Sequence, residues 1–346
     1  MSNTATVLAF DFGASSGRAI RAVYDGQNLT YEEIHRFENV PIEKDGHLCW
    51  DVETLLKEIH TAIQKAGTFD SLGFDTWGVD FGLLDADGHL LADPVHYRDA
   101  RTNGKPEQAA ACMPAEELYA HTGNQIMAIN TLFQLLALQE QEPELLQKAE
   151  QILFMPDLFA ALLGAEPVCE RSIASTSQML DPRTGQWSRE VLTAYGLKEN
   201  HFAPLVASGT VTGTLTTGAK IIAVAGHDTQ CASAAMPCAE EDAEHTAFLS
   251  CGTWSLLGTE LDAPILTADS CQSGLSNELG ANGKINYLKN IIGLWLIQES
   301  RREYKRRGQA YSFAELEQQA LAAEPLRSFI DPDAPEFVAP GDLPGR

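Results

Sequence analysis

At 346 residues and 44% hydrophobic content, the chain is globular and too long for one ordinary core, so two domains are expected. Its 24 Lys and Arg stand against 48 Asp and Glu, a formal charge of −24 that disfavours nucleic acid and anionic membranes as partners. An anionic ligand would therefore need a local pocket of backbone N–H groups, a few cations or a metal.

Thr6 to Phe10 reads as a buried strand and Ala19 to Asp25 as its antiparallel partner. The turn between them, Asp11-Phe12-Gly13-Ala14-Ser15-Ser16-Gly17-Arg18, is small and glycine-rich. Its backbone N–H groups can converge on an anion, Ser15 and Ser16 add hydroxyls, and Arg18 adds a fork for phosphate oxygens. Asp11, at the strand end, suits a hydrated Mg²⁺ held through waters. An ordinary Gly/Ser hairpin is the alternative. No G-x-x-x-x-G-K-[ST] and no dinucleotide G-x-G-x-x-G occurs.

Leu29 to Phe37 continues as a third strand. Val52 to Ala66, apolar at 52, 55, 56, 59, 62 and 63, reads as an amphipathic helix capped by Asp51. Three hairpin-linked strands followed by a helix open a mixed sheet rather than a plain Rossmann unit. Ser71 to Leu84 reads as a strand or a pair of short strands. On a single strand Asp75, Trp77 and Val79 would share one face, and Thr76, Gly78 and Asp80 the other. Two carboxylates in an apolar run need partners or a ligand; a sugar fits, and internal pairing of Asp75 with Asp80 is the alternative. Pro94 to Gly104 is a polar loop carrying Arg98, Asp99 and Arg101.

Residues 107–200 read as a mostly helical insertion, with helical spacing over Thr131 to Gln139 and Leu153 to Leu163, and carry no clear ligand signal. Short strands and turns follow over Leu205 to Gly218. Ile221 to Ala225 then reads as a strand that stops at Gly226, with a helix of small residues after Thr229. Asp228 falls at that helix's N-terminus, either as a plain cap or as a carboxylate held for chemistry.

The acidic stretch Cys238 to Asp242 is the expected domain boundary. Beyond it, His245 to Ser250, a Gly252-Thr253-Trp254 turn and Ser255 to Glu260 repeat the architecture of the first hairpin. A phosphate-sized hairpin opening each half suggests a duplication with a ligand in the cleft between. Tyr287 to Arg302, apolar at 288, 291, 292, 295 and 296, reads as a helix, with Asn290 polar among those positions and Gln298 further along; simple surface exposure is the alternative for both. Seven scattered cysteines without a C-x-x-C pair, and nine histidines without metal-ligand spacing, point to reduced thiols and no structural zinc. No apolar run reaches membrane-helix length, so a cytoplasmic protein is expected, and oligomeric state is not readable.

The stretches DFGASSGR (11–18), WD (50–51), DTWGVDF (75–81), YRDARTNG (97–104), MPD (155–157), GHDT (226–229), SCGTWSL (250–256) and LKNIIGLW (288–295) resemble, in order, the motifs of the FGGY carbohydrate kinases. The resemblance implies an α/β, two-domain actin/hexokinase/Hsp70-like (ribonuclease H-like) fold with mixed sheets. It implies a first domain over 1–238 and a second over 239–346. Ala14, Ser15, Ser16, Gly17, Arg18, Thr253 and Gln298 would bind ATP. Gly78, His227, Asp228, Thr229 and Asn290 would bind a ketose, Asp228 would accept the proton of its C1 hydroxyl, and Asp11 would help place Mg²⁺. L-rhamnulose is the implied sugar, with L-fuculose or xylulose as alternatives. Members also carry a later Gly-rich adenosine segment, G-G-G-x-x-N, without a counterpart here. The expectation is therefore a truncated second domain with an open sheet edge and an incomplete adenine pocket, and a non-catalytic sugar-binding remnant as a further alternative.

Overall fold

The computed structural model describes residues 4–239, 242, 245–337 and 341–346. It opens with three antiparallel strands, β1 (Ala5–Phe12), β2 (Ser16–Tyr24) and β3 (Leu29–Glu38), followed by α1 (Val52–Ala66) and β4 (Ser71–Thr76). Alternation decides β1: Leu8, Phe10 and Phe12 are wholly buried, while Ala9 and Asp11 turn to the other face. Phe10 stacks on Phe74 with ring centroids 4.7 Å apart, and Phe12 meets Phe159 edge-on at 5.1 Å. In α1, Asp51 accepts from the Thr54 N–H at 2.9 Å, and Val52, Leu55, Ile59, Ala62 and Ala66 form the buried face. Each of the larger aliphatic side chains there contributes about 1.5–3 kcal/mol by leaving water.

The polar run ending in Leu84 is a pair of short strands, β4 and β5 (Phe81–Leu84), joined by a tight turn. The single-strand face assignment for residues 75–80 therefore does not hold, because the chain turns at 77–80 with Val79 at φ 66°. Within 107–200, α2 (Thr131–Gln141) lies where helical spacing places it. The helix expected over Leu153 to Leu163 is instead β6 (Gln151–Phe154), paired with β5, and then α3 (Met155–Leu162). Pro156 explains the break: it has no N–H to donate and belongs in a first helical turn. β7 (Thr210–Thr214) and β8 (Lys220–Ala223) complete a six-stranded mixed sheet of order β7-β8-β4-β1-β2-β3, with β4 parallel to both β1 and β8. α4 (Asp228–Ala234) leaves the end of β8.

The boundary expected after Cys238 adjoins residues 240, 241, 243 and 244, which lie outside the described residues. A second, wholly antiparallel sheet follows, built from β9 (Phe248–Cys251), β10 (Trp254–Leu261), β11 (Ser276–Leu279) and β12 (Ile285–Ile292) in the order β9-β10-β12-β11. Its first hairpin matches the sequence expectation. Its β11 edge is not open, however: the Asn277 N–H donates to the Gly123 carbonyl at 2.8 Å, and the Leu279 N–H to Ser175 Oγ at 2.9 Å. All four β11 residues are buried. Among the described residues no helix is long and apolar enough to cross a membrane.

The helix expected over Tyr287 to Arg302 is also corrected. Residues Ile285–Ile292 are a central strand, and α5 (Trp295–Arg306) starts only after Gly293. Apolar positions 288, 291 and 292 satisfy either period, and pairing with β10 on one side and β11 on the other fixes the segment as a strand. Gly293 marks the change because a Cβ there would lie 2.8 Å from the Ser255 nitrogen and 3.0 Å from the Gly252 carbonyl oxygen. That close approach ties the start of α5 to the β9–β10 turn. Gly293→Ala is accordingly expected to lower stability by ~1–3 kcal/mol through forced backbone displacement. Urea unfolding with an unchanged midpoint would show that the approach is not tight.

Candidate functional site

A cavity of about 320 Å³ lies between the turns of the two glycine-bearing hairpins. Gly13, Ala14 and Ser15 of the β1–β2 turn line one side, and Gly252 and Thr253 of the β9–β10 turn another. The turns close alike, with the Gly13 N–H on the Ser16 carbonyl and the Gly252 N–H on the Trp254 carbonyl, both at 2.9 Å. Gln298 of α5 joins the second turn, where its Oε1 lies 3.3 Å from Thr253 Oγ1. His227, Asp228 and Thr229 line the cavity from the start of α4, and Gly78 and Asn290 complete it.

Nine of the sequence-derived residues are thereby brought to one cleft: Ala14, Ser15, Gly78, His227, Asp228, Thr229, Thr253, Asn290 and Gln298. Asp11, Ser16, Gly17 and Arg18 do not line it. Gly17 packs into the sheet, where a Cβ would come within 2.2 Å of the Phe37 ring. The Arg18 fork grips its own strand neighbour, with Nε 2.7 Å from Asp11 Oδ2.

Carboxylates concentrate here. Asp11 and Asp75 are partners in the parallel β1–β4 pairing. Burial, then the charges of Asp11 and Asp228, push Asp75 well above the usual carboxylate range. The Asp228 side chain is 40% exposed toward the cleft. The protein around it raises its pKa, while the His227 charge and the Thr229 N–H, 2.6 Å from Oδ1, pull it back. Burial alone would lower the pKa of His227, but the charge and hydrogen bond of Glu278, then Asp228 and Asp75, bring it up to about 9.

Asp80 has a different fate. It pairs neither with Asp75 nor with a ligand, because it is buried away from the cleft and accepts four hydrogen bonds. Its donors are Trp50 Nε1 at 2.6 Å, Trp77 Nε1 at 3.0 Å, the Tyr97 N–H at 3.2 Å and Gln134 Nε2 at 2.9 Å. Trp77 packs at a tilt against Trp50 with centroids 4.0 Å apart and still lines the cavity. Asp80 thus holds the turn that presents Gly78. The Val79 N–H is held by Thr176 Oγ1 at 3.1 Å and its carbonyl by Thr131 Oγ1 at 2.6 Å.

Sequence reasoning missed Glu278, Gln125 and Thr176, all of which line the cavity. Glu278 carried a readable signal, a lone carboxylate in a short strand segment, which must find a partner if buried. Gln125, whose Oε1 accepts from the Asn290 N–H and Nδ2, lies in the region without local signal.

The family models for the N-terminal and C-terminal domains of the FGGY carbohydrate kinases match residues 6–234 and 247–346. The chain belongs to the FGGY family of carbohydrate kinases. It is 41% identical to a rhamnulokinase of Bacteroides thetaiotaomicron over 97% of this chain and 70% of that protein. A rhamnulokinase of Enterococcus faecalis is 39% identical over 98% and 69%. The chain thus spans about 70% of the length of these curated relatives. Among solved structures, a ligand-bound xylulose kinase from Lactobacillus acidophilus superposes with TM-score 0.73 at 16% identity, covering 92% of this chain and 66% of that one. A Plasmodium falciparum glycerol kinase with ADP reaches TM-score 0.67 at 16% identity, covering 85% and 63%. As an FGGY member the chain has the two-domain fold of these kinases and is a sugar phosphotransferase, with a sugar and ATP as its substrates.

Asp80, buried away from the cleft, allows a direct test. Asp80→Ala strands four buried donors, each costing about 1–3 kcal/mol, so a loss of at least ~3 kcal/mol is expected with changed near-ultraviolet dichroism from Trp50 and Trp77. Burial raises the Asp80 pKa from the usual aspartate value to about 6. The folded state therefore binds the extra proton in that window, and this contribution to stability is lost as pH rises through 6. Urea titrations should accordingly show a larger wild-type advantage over the variant at pH 5 than at pH 8. An equal difference at both would discard the shifted carboxyl.

Proposed function

We propose that the chain transfers the γ-phosphoryl group of ATP to the C1 hydroxyl of L-rhamnulose, with Asp228 as proton acceptor. The carrying observation is that Asp228 lines one cleft together with Ala14, Ser15, Thr253 and Gln298 and with Gly78, His227 and Asn290. The first group would contact ATP and the second, with Thr229, the ketose. Val79, Met127, Ile129 and Leu256 add an apolar wall. It suits the C6 methyl of a 6-deoxy ketose, which favours L-rhamnulose or L-fuculose over xylulose. The rhamnulokinase relatives support the first of these.

Phosphoryl transfer through a loose transition state needs alignment and charge neutralisation more than a strong base. Asp228 is a carboxylate of raised pKa at a helix start, able to take a proton that leaves late. Mg²⁺ fits the acidic group: burial is the main cause that raises Asp75, and the like charges of Asp11 and Asp228 that add to it are a repulsion a divalent cation relieves. Asp11 would hold it through water, since both Arg18 contacts go to Oδ2 and leave Oδ1 for a metal-bound water. When bound, Mg²⁺ would supply neutralisation of phosphate charge.

The test is ADP release by the 346-residue chain with ATP, Mg²⁺ and L-rhamnulose, beside L-fuculose and xylulose. Asp228→Asn is expected to cut turnover by about 10²-fold or more, the range of a general base. Because the Asp228 pKa is raised, activity should fall with acidification before an ordinary aspartate would protonate. Near wild-type turnover in the variant, or no sugar-dependent release by a folded chain, would overturn the reading.

A further inference from the structure

The His227 ring stands between two carboxylates supplied by different parts of the fold. Nδ1 lies 2.9 Å from Glu278 Oε2, and Nε2 lies 3.4 Å from Asp228 Oδ1. Glu278 is 4% exposed on β11 of the second sheet, whereas His227 and Asp228 follow β8 of the first. The same Glu278 oxygen accepts from Gln230 Nε2 at 2.8 Å. Gln230 Oε1 in turn accepts from Asn286 Nδ2 of β12, which also donates to Ser233 Oγ at 2.9 Å. α4 is therefore gripped by side chains of both β11 and β12. β11 is itself pinned by Gly123 and Ser175, and Ser276 Oγ accepts from the Gln125 N–H at 2.9 Å.

A neutral imidazole carries one N–H, so it can satisfy only one of two flanking carboxylates and turns a lone pair toward the other. Nδ1 is hydrogen-bonded to Glu278, and Nε2 stands within ion-pair range of Asp228 without a hydrogen bond; carboxylates on both sides favour the doubly protonated ring. We propose that Glu278 is a positioning residue for catalysis, completing the proton-accepting site from the second sheet by holding His227 as an imidazolium whose Nε2 side faces Asp228. The proposal rests on Asp228 being the proton acceptor. An imidazolium beside Asp228 favours its ionised, proton-accepting form against the opposing influence of burial and, less, of the Asp11 charge. It also braces the sugar side, since a Cβ at Gly78 would lie 3.4 Å from His227 Nε2.

The arrangement couples the two sheets to the chemistry. Asp228 has its charged neighbour in place only while β11 is seated against α4. Other charges bearing on the ring are Asp75 of β4 and, beyond Asp228, Asp11 with its Arg18 on β1 and β2. Both carboxylates favour the cationic ring, and Arg18 is already committed to Asp11. Neither carboxylate is hydrogen-bonded to the ring, so Glu278 is the partner whose removal should release its proton.

Glu278→Gln keeps the size of the side chain and an acceptor for Nδ1–H but removes the charge. Imidazole ¹⁵N shifts of the full chain, with His227 assigned by its loss in His227→Gln, should show both ring nitrogens protonated in wild type at pH 7.5. A neutral ring is expected in Glu278→Gln and an imidazolium again in Glu278→Asp. In ADP release with L-rhamnulose, the acid limb should move up by about one pH unit in Glu278→Gln, a tenfold fall at fixed pH on that limb. Glu278→Asp should restore part of that loss. A neutral His227 in wild type, or identical ring shifts and acid limbs in wild type and Glu278→Gln, would overturn the proposal. If wild type releases no ADP, the assignment of Asp228 fails while the ring shifts still report on Glu278. If Glu278→Gln unfolds, the wild-type shifts and Glu278→Asp still decide.

Discussion

The constraint on which the cleft depends is electrostatic. Asp11, Asp75, Asp228 and Glu278 converge around it, and the nearby compensating cations are Arg18 on Asp11 and the His227 ring between Asp228 and Glu278. Burying charge is costly unless each group finds a partner, and an uncompensated carboxylate would take up a proton instead. Asp75 is driven in that direction, its pKa raised by burial and by its like-charged neighbours. Asp228 is held back from it by His227. Two carboxylates in one site thus acquire different protonation tendencies, which is the usual way a site assigns different tasks to one residue type.

The hairpin turns answer the complementary problem. A chain of net charge −24 repels nucleotide phosphates at long range, so attraction must come from groups at contact distance. Ala14, Ser15, Gly252 and Thr253 bring small side chains, hydroxyls and main chain to the cleft from opposite sheets. Glycine at each turn permits a close backbone approach, and the two turns close on themselves with like hydrogen bonds. The sheets that carry them are not held apart by a linker alone. β11 is stitched to Gly123, Gln125 and Ser175, so the geometry between the turns is set by buried hydrogen bonds.

Much of this was legible in the sequence where one period dominated. The first hairpin follows from strict alternation at Leu8, Phe10 and Phe12, and α1 from its apolar face with Asp51 as cap. Segments that satisfy two periods were not legible. Residues 288, 291 and 292 suit a helix as well as a strand, and only the neighbours β10 and β11 decide. Pro156 and Gly293, read as start signals rather than interior residues, would have moved both misplaced helices. The cleft side chains within short motifs were found, but Gln125 and Thr176 act through tertiary contacts with Asn290 and Val79. No local spacing encodes such partners. The fork expected of Arg18 was misdirected for a similar reason, since its strand register places it opposite Asp11.

Val79 shows what the sugar side of the cleft demands of the scaffold. A β-branched residue at φ 66° is disfavoured, by an amount on the order of 1–3 kcal/mol for strained backbone of this kind. The turn persists because its polar groups are over-determined: Thr176 takes the N–H, Thr131 takes the carbonyl, and Asp80 anchors both flanking tryptophans. If residues 77–80 relaxed into a continued strand, Asp80 would leave four donors and Gly78 would leave the cleft wall opposite Thr176 and His227. The cost of the strained turn is therefore set against a buried hydrogen-bond network that no extended conformation could keep. That balance holds the turn where the proposed sugar would be aligned, with two buried tryptophans on one carboxylate beside the aromatic core.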